Sequence, residues 1–178
     1  MSMTRSLSEL EGCVLGIVSQ RQPCTPYAIR RELKRSPNPH WGKSAGAIYP
    51  VFERLEAAGL LTSRPHATGA RQSLHYSTTA SGHRALARWI GPPVDELTAS
   101  LPMDPLRTRV GFLALLPRSS RQAFLVSAET QMRSQLAQVK QRAREDQDDP
   151  YEQLISEGAA AMLKARIAWL KRVQRKLA

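Results

Sequence analysis

Residues 42–61, GKSAGAIYPVFERLEAAGLL, constrain this chain more than any other stretch. Advanced by about 100° per residue, Ile48, Phe52 and Leu55 fall on one narrow apolar face, the pattern of a helix laid on a core. Gly59 supplies the C-cap that ends it. Pro50 interrupts this pattern, and a proline in a helix interior costs about 3 kcal/mol through a lost hydrogen bond and a ring clash. The helix therefore starts late or bends at this point. Gly46 and Pro50 lie away from the apolar face together with Lys43, Glu53, Arg54 and Ala57, flanked by Ala47 and Tyr49. A small residue there weakens the helix but lets its backbone approach another surface closely.

The flanking segments supply the rest of one domain. Ser8 and Glu11 form a capping box for a helix over 8–19, with Leu10, Val14, Ile17 and Val18 at helical spacing. Residues 20–23 break it. Thr25 as N-cap and Pro26 at the first helical position start a second helix that runs through Ile29 and Leu33 to about Arg35. After Gly59, residues 60–64 and 74–78 read as short strands joined by 65–73, a hairpin with a long basic tip. Thr79 caps a further helix through Leu86, Trp89 and Ile90. Three helices, a hairpin and a helix follow one another in the order of a winged helix-turn-helix. A helical bundle with a loop at 61–78 would leave the paired strand patterns unexplained.

The prolines and glycine of 91–103 read as a linker. Beyond it, Asp104 and Pro105 cap a short apolar helix, LRTRVGFLALL, that Pro117 ends. Residues 119–144 then carry Leu125, Ala128, Met132, Leu136 and Val139 on one stripe, and 151–177 carry Ile155, Ala159, Leu163, Ile167, Leu170 and Leu177 on another. Two such helices beside so small a domain call for a partner to cover them, and a second copy of the chain is the expected one; a helical hairpin capping its own first domain is the alternative. The fold class is thus mainly α with a small β-hairpin: a winged helix-turn-helix domain over 1–90, a linker over 91–103, and a helical dimerisation domain over 104–178.

Charge indicates what the first domain meets. The 178 residues carry a net charge of +11. Residues 1–90 hold 12 Lys/Arg against 5 Glu and no Asp, a balance of +7, whereas the remainder holds 14 against 10. Between Glu56 and Asp95 there is no acidic residue, while Arg64, Arg71, Arg84 and Arg88 fall there. A long acid-free basic stretch suits a polyanion such as nucleic acid. No run approaches the roughly 18 apolar residues of a membrane span, and the first residues do not read as a signal peptide, so a cytoplasmic location is expected. Cys13 and Cys24 fit neither a metal knuckle nor a disulfide framework, and Cys13 reads as a small core residue. His40, His66, His75 and His83 have no Cys or acid partners at ligand or triad spacing, and no glycine-rich phosphate loop occurs, so neither an enzyme nor a metal or cofactor site is expected.

The run Gly46-Ala47-Ile48-Tyr49-Pro50, followed by Arg54-Leu55-Glu56 and Gly59-Leu60-Leu61, resembles the signature of the PadR-like transcriptional regulators. Val14-Leu15-Gly16-Ile17-Val18, the Tyr27-x-Ile29 pair and Tyr76…Thr79…Gly82 are similar to the same family. Likeness is strong over 8–90 and is carried by helix pattern over 104–178. Many members have His-Gly where this chain has Thr25-Pro26, and often Leu where it has Thr78. The resemblance implies a homodimeric winged-helix repressor, joined through its C-terminal helices and, in some members, provided with a pocket for phenolic acids or aromatic drugs.

On that reading the third helix enters the major groove of an operator with inverted-repeat symmetry. Lys43, Tyr49 and Arg54 reach phosphate oxygens, Ser44 serves as N-cap or phosphate donor, and Gly46 permits close approach. Arg54, placed between Glu53 and Glu56, equally suits surface ion pairs. Arg71 and Gln72, with His66 and Thr68 as lesser candidates, lie along the minor groove or flanking backbone. Trp89 and Trp169 offer flat faces to a small aromatic effector, with ordinary packing as the alternative. A winged-helix module that binds protein or RNA without sensing an effector is the other function class.

Overall fold

The computed structural model describes residues 6–36, 41, 45–68 and 71–177, without the side chains of residues 45, 67, 68, 71 and 72. The chain divides into two compact units, Met1–Ser100 and Leu101–Ala178.

In the first unit, α1 (Glu9–Arg21) begins with the expected capping box: Ser8 Oγ accepts the Glu11 N–H at 3.3 Å, and a Glu11 carboxylate oxygen accepts the Ser8 N–H at 3.1 Å. Helix α2 (Pro26–Arg35) begins with Thr25 Oγ1 accepting the Ala28 N–H, so Thr25-Pro26 makes a sound helix start. A 3₁₀ turn (Ala45–Ala47) leads into α3 (Ile48–Ala57). Gly59, at φ 68, closes α3 with its N–H donating to Glu56 O and that of Leu60 to Leu55 O. These paired bonds satisfy the last carbonyls of the helix, and the left-handed conformation they need suits glycine.

Strands β1 (Leu61–Thr68) and β2 (Arg71–Thr78) follow, antiparallel, with Leu61 opposite Thr78 and Thr68 opposite Arg71. The hairpin arms are therefore longer than expected, and most of the stretch read as a tip is strand. Pro65 sits within β1 opposite Leu74; a two-stranded ladder accommodates it because alternate residues of an edge strand turn their N–H groups away from the partner. Cys24 adds a single bridge, exchanging both backbone hydrogen bonds with Tyr76. Thr78 closes the ladder and donates its N–H to Gln22 Oε1 at 2.7 Å. Helix α4 (Ala80–Ile90) starts at Thr79, whose Oγ1 accepts the Gly82 N–H. The core joins Val14, Leu15 and Val18 of α1 to Ile29, Leu33, Ile48, Val51, Phe52, Leu55 and Tyr76. Phe52 meets Tyr76 edge to face at 4.7 Å between ring centres.

Within 91–103, read as linker, a short helix α5 (Glu96–Ala99) forms, capped by Asp95. In the second unit, α6 (Pro105–Val110) starts at Asp104, which accepts the N–H groups of Leu106 and Arg107 and pairs with Arg166 at 2.7 Å. The single apolar helix expected up to Pro117 is instead two pieces, α6 and a 3₁₀ turn (Leu113–Leu115), separated at Gly111. Helices α7 (Arg118–Glu145) and α8 (Pro150–Leu177) pack antiparallel, with Glu129 facing Gln174 and Arg142 facing Glu152. They bury Leu113, Leu125, Met132, Ile167 and Leu170 within one chain. Much of both apolar stripes is thus covered within the chain itself. Along α8, Tyr151, Leu154, Ile155 and Met162 remain exposed.

Candidate nucleic-acid interface

The start of α3 resolves the question raised by Pro50. Ala47 is its N-cap, with no side-chain hydrogen bond, and Ile48 its first helical residue. Pro50 is therefore the third residue, where a backbone N–H has no partner in the helix and its absence costs nothing. Ile48, Val51, Phe52 and Leu55 are buried, while Gly46, Ala47, Tyr49, Pro50, Glu53, Arg54 and Ala57 are exposed. Nothing lies within 4 Å of where a Cβ on Gly46 would be. The outward edge is thus slim and almost free of long polar side chains.

Arg54 departs from this face. Its Nε donates to Glu11 Oε1 at 3.1 Å, joining α3 to the first turn of α1. Its carboxylate partner is buried, whereas the arginine side chain is 47% exposed. The ion pairs expected with neighbouring Glu53 and Glu56 give way to this long-range one, and Glu56 instead accepts from Ser63 Oγ at 2.6 Å. Because one partner is desolvated, removing Arg54 takes one stabilising contact from a buried carboxylate. The half-exposed guanidinium moderates the effect. A double-mutant cycle of Glu11→Gln and Arg54→Ala, read by urea unfolding, is expected to give a coupling of about 1–2 kcal/mol. Strict additivity would contradict this assignment.

Of the other sequence-derived candidates, Lys43 and Ser44 lie outside the described residues. Arg71 and Gln72 occupy strand positions opposite Thr68 and Ala67, at the far end of the wing rather than in a loop; their side chains are outside the described set. His66 and His75 place their rings 4.5 Å apart on adjacent strands, and Arg64 stands opposite His75. A cleft of about 780 Å³ opens between the start of α2, the first turns of α3, and β2, lined by Pro26, Tyr27, Tyr49, Glu53, Leu74 and Tyr76 among others. Tyr27, 64% exposed, and Leu74 were not singled out as surface contacts from sequence. Two aromatic rings open to solvent on one cleft were legible only once α2 and α3 were placed side by side.

The two tryptophans occupy different settings. Trp89 is partly buried, its indole directly over the Cα of Gly12 in α1. Trp169 is partly buried against the core of the second unit. Burial raises the Cys13 and Cys24 thiols above their ordinary pKa, as suits core residues. Among the described residues no group of three metal-ligating side chains forms, and no helix is long and apolar enough to cross a membrane.

A helical pair, a third helix offering a slim polar-poor edge, and a basic two-stranded wing define a winged helix-turn-helix fold. Comparison with known proteins agrees: residues 14–88 match the model of the Transcriptional regulator PadR-like family. Over residues 14–88, within its first unit, the chain thus resembles the PadR-like family. No curated protein matches it in sequence. Among solved structures, it is similar to Bacillus subtilis PadR in complex with operator DNA, at 18% identity and a TM-score of 0.78, covering 96% of this chain and 100% of that one. A PadR-like transcriptional regulator from Bacillus cereus superposes with a TM-score of 0.76 at 15% identity, over 99% of this chain and 100% of the other. Bacillus subtilis PadR in complex with p-coumaric acid gives 0.74 at 19% identity, over 94% and 98%.

Proposed function

We propose that this chain is a homodimeric repressor that binds an inverted-repeat duplex through α3 and the wing and leaves it when a small aromatic effector binds. The observation that carries the DNA reading is the exposed N-terminal edge of α3, where Gly46, Ala47, Tyr49 and Pro50 leave the helix backbone accessible. A helix of this width enters the major groove. Lys43, Ser44 and Tyr49 contact phosphate oxygens, and Arg71 and Gln72 follow the backbone or minor groove beside them. Arg54, tied to Glu11, orients α3 and contributes to phosphate binding only through its exposed side.

The exposed stripe Tyr151, Leu154, Ile155 and Met162 on α8 supports a second copy as the partner of the C-terminal unit. The p-coumaric acid complex of Bacillus subtilis PadR supports an aromatic effector, with Trp89 and Trp169 as the indoles a flat ring would stack on. The protein acts in the cytoplasm, associated with the nucleoid when bound to DNA.

A salt titration tests the central claim. Binding to a duplex selected from a random library should weaken on the order of 10³-fold or more between 50 and 200 mM salt if six or more phosphates are neutralised, with a log–log slope near 0.9 per phosphate. Arg71→Ala should reduce that slope by about one. A salt-insensitive affinity, or an unchanged slope in the variant, contradicts the assignment. Tryptophan fluorescence quenched by phenolic acids and not by aliphatic acids checks the effector; a panel without quenching removes it.

A further inference from the structure

The exposed edge of α3 carries a second message about which bases it meets. Its outward residues are Ala47 and Pro50, flanked by the half-exposed ring of Tyr49, with Glu53 one turn on. The cation in this helix is drawn aside, Arg54 Nε being held by Glu11. A face that combines apolar groups with a carboxylate is poorly suited to lie against phosphates, which would repel Glu53. It is well suited to base edges in the major groove. There the only apolar group on any base pair is the thymine 5-methyl, and it is absent from the minor groove. Neither Ala47 nor Pro50 has a side-chain donor or acceptor, so neither distinguishes bases by hydrogen bonding.

Resting on the DNA reading above, we infer that α3 selects sequence chiefly by packing Ala47 and Pro50 against thymine methyl groups, rather than by the bidentate hydrogen bonds of long polar side chains. Thymine is recognised by an apolar contact and every other base is rejected by leaving that contact unfilled. Gly46 is part of the device, since a side chain there would hold the helix off the groove floor; the open space around it shows that no intramolecular packing demands a glycine at this position.

The experiment uses a duplex selected by the full-length protein from a random library, then synthesised with each thymine replaced in turn by uracil, which differs only in lacking the methyl. At two or more positions per half-site, uracil should weaken binding about four-fold, the ratio that burial of one methyl-sized group represents. In Ala47→Gly and Pro50→Ala, the thymine-to-uracil ratio at the corresponding positions should fall toward one. That ratio compares two duplexes on the same protein preparation, so a partly misfolded variant does not alter it. Equal affinity for thymine and uracil at every position overturns the inference while leaving DNA binding intact. Discrimination that persists undiminished in both variants overturns the assignment to these two residues. A library that yields no bound duplex overturns the DNA reading itself.

Discussion

Gly82→Ala is expected to destabilise the first unit by about 3 kcal/mol, at the upper end of the range for overpacking, although the same change in an open helix gains up to about 1 kcal/mol. Gly82 is the third residue of α4, and a Cβ there would overlap the carbonyl oxygen of Leu60 and stand 2.8 Å from Thr78 Cγ2. The obstructing carbonyl cannot swing away, because it accepts the Thr79 N–H at 3.0 Å and lies next to the Gly59 carbonyl that takes the Thr79 hydroxyl at 2.7 Å. The end of α3, the foot of the wing and the start of α4 meet in this one joint. Thermal unfolding followed by circular dichroism should show the first unit melting roughly 10–20 °C lower. Gly158, in α8 with open space around its Cβ position, provides the control of opposite sign: Gly158→Ala should stabilise by about 0.5–1 kcal/mol. A midpoint unchanged by Gly82→Ala would show that the joint yields.

Gly12→Ala tests a contact of another kind. The added methyl would overlap the Trp89 indole, with ring atoms Cδ2 and Cζ2 at 2.5 and 2.6 Å. Here the obstacle is a partly exposed side chain, so the ring is expelled rather than the backbone displaced. Loss of its packing on α1 is expected to cost about 2 kcal/mol. The emission of Trp89 should move to longer wavelength as the indole enters water. If emission and stability both stay unchanged, Trp89 does not rest on Gly12 as described. The same variant bears on effector binding, because an expelled indole no longer presents the face on which an aromatic ligand would stack.

What could be read in advance divides by range. The caps at Ser8, Thr25, Thr79 and Asp104 were legible because each depends on residues within three positions of one another. The outward placement of Gly46 and Pro50, with Tyr49 on the flank, followed from helical periodicity alone, since three buried residues fix the orientation of the others. Val51 was missed because the narrow face drawn through Ile48, Phe52 and Leu55 is broader in fact. The Glu11–Arg54 pair spans 43 positions and the Cys24–Tyr76 bridge spans 52, and no local pattern announces either. The length of the hairpin was misjudged because Pro65 reads as a breaker, while a strand with a free edge accepts it. Leu74 and Tyr76 share one face of β2 by the two-residue period, yet one is exposed and the other buried. Alternation tells which side a residue takes, and not how far along the strand the core extends.

The position of Pro50 has a consequence for the energetics of association. Its ring would collide with the carbonyl of Gly46 if the α-helix grew back by another turn, so the first turn of α3 is fixed before any partner arrives. On the DNA reading proposed above, a segment that cannot lengthen on contact has no ordering transition of its own to undergo there. The corresponding loss of chain entropy is met during folding rather than during binding. Docking of this helix should therefore proceed as a rigid insertion, without a gain in helical circular dichroism from α3 when duplex is added.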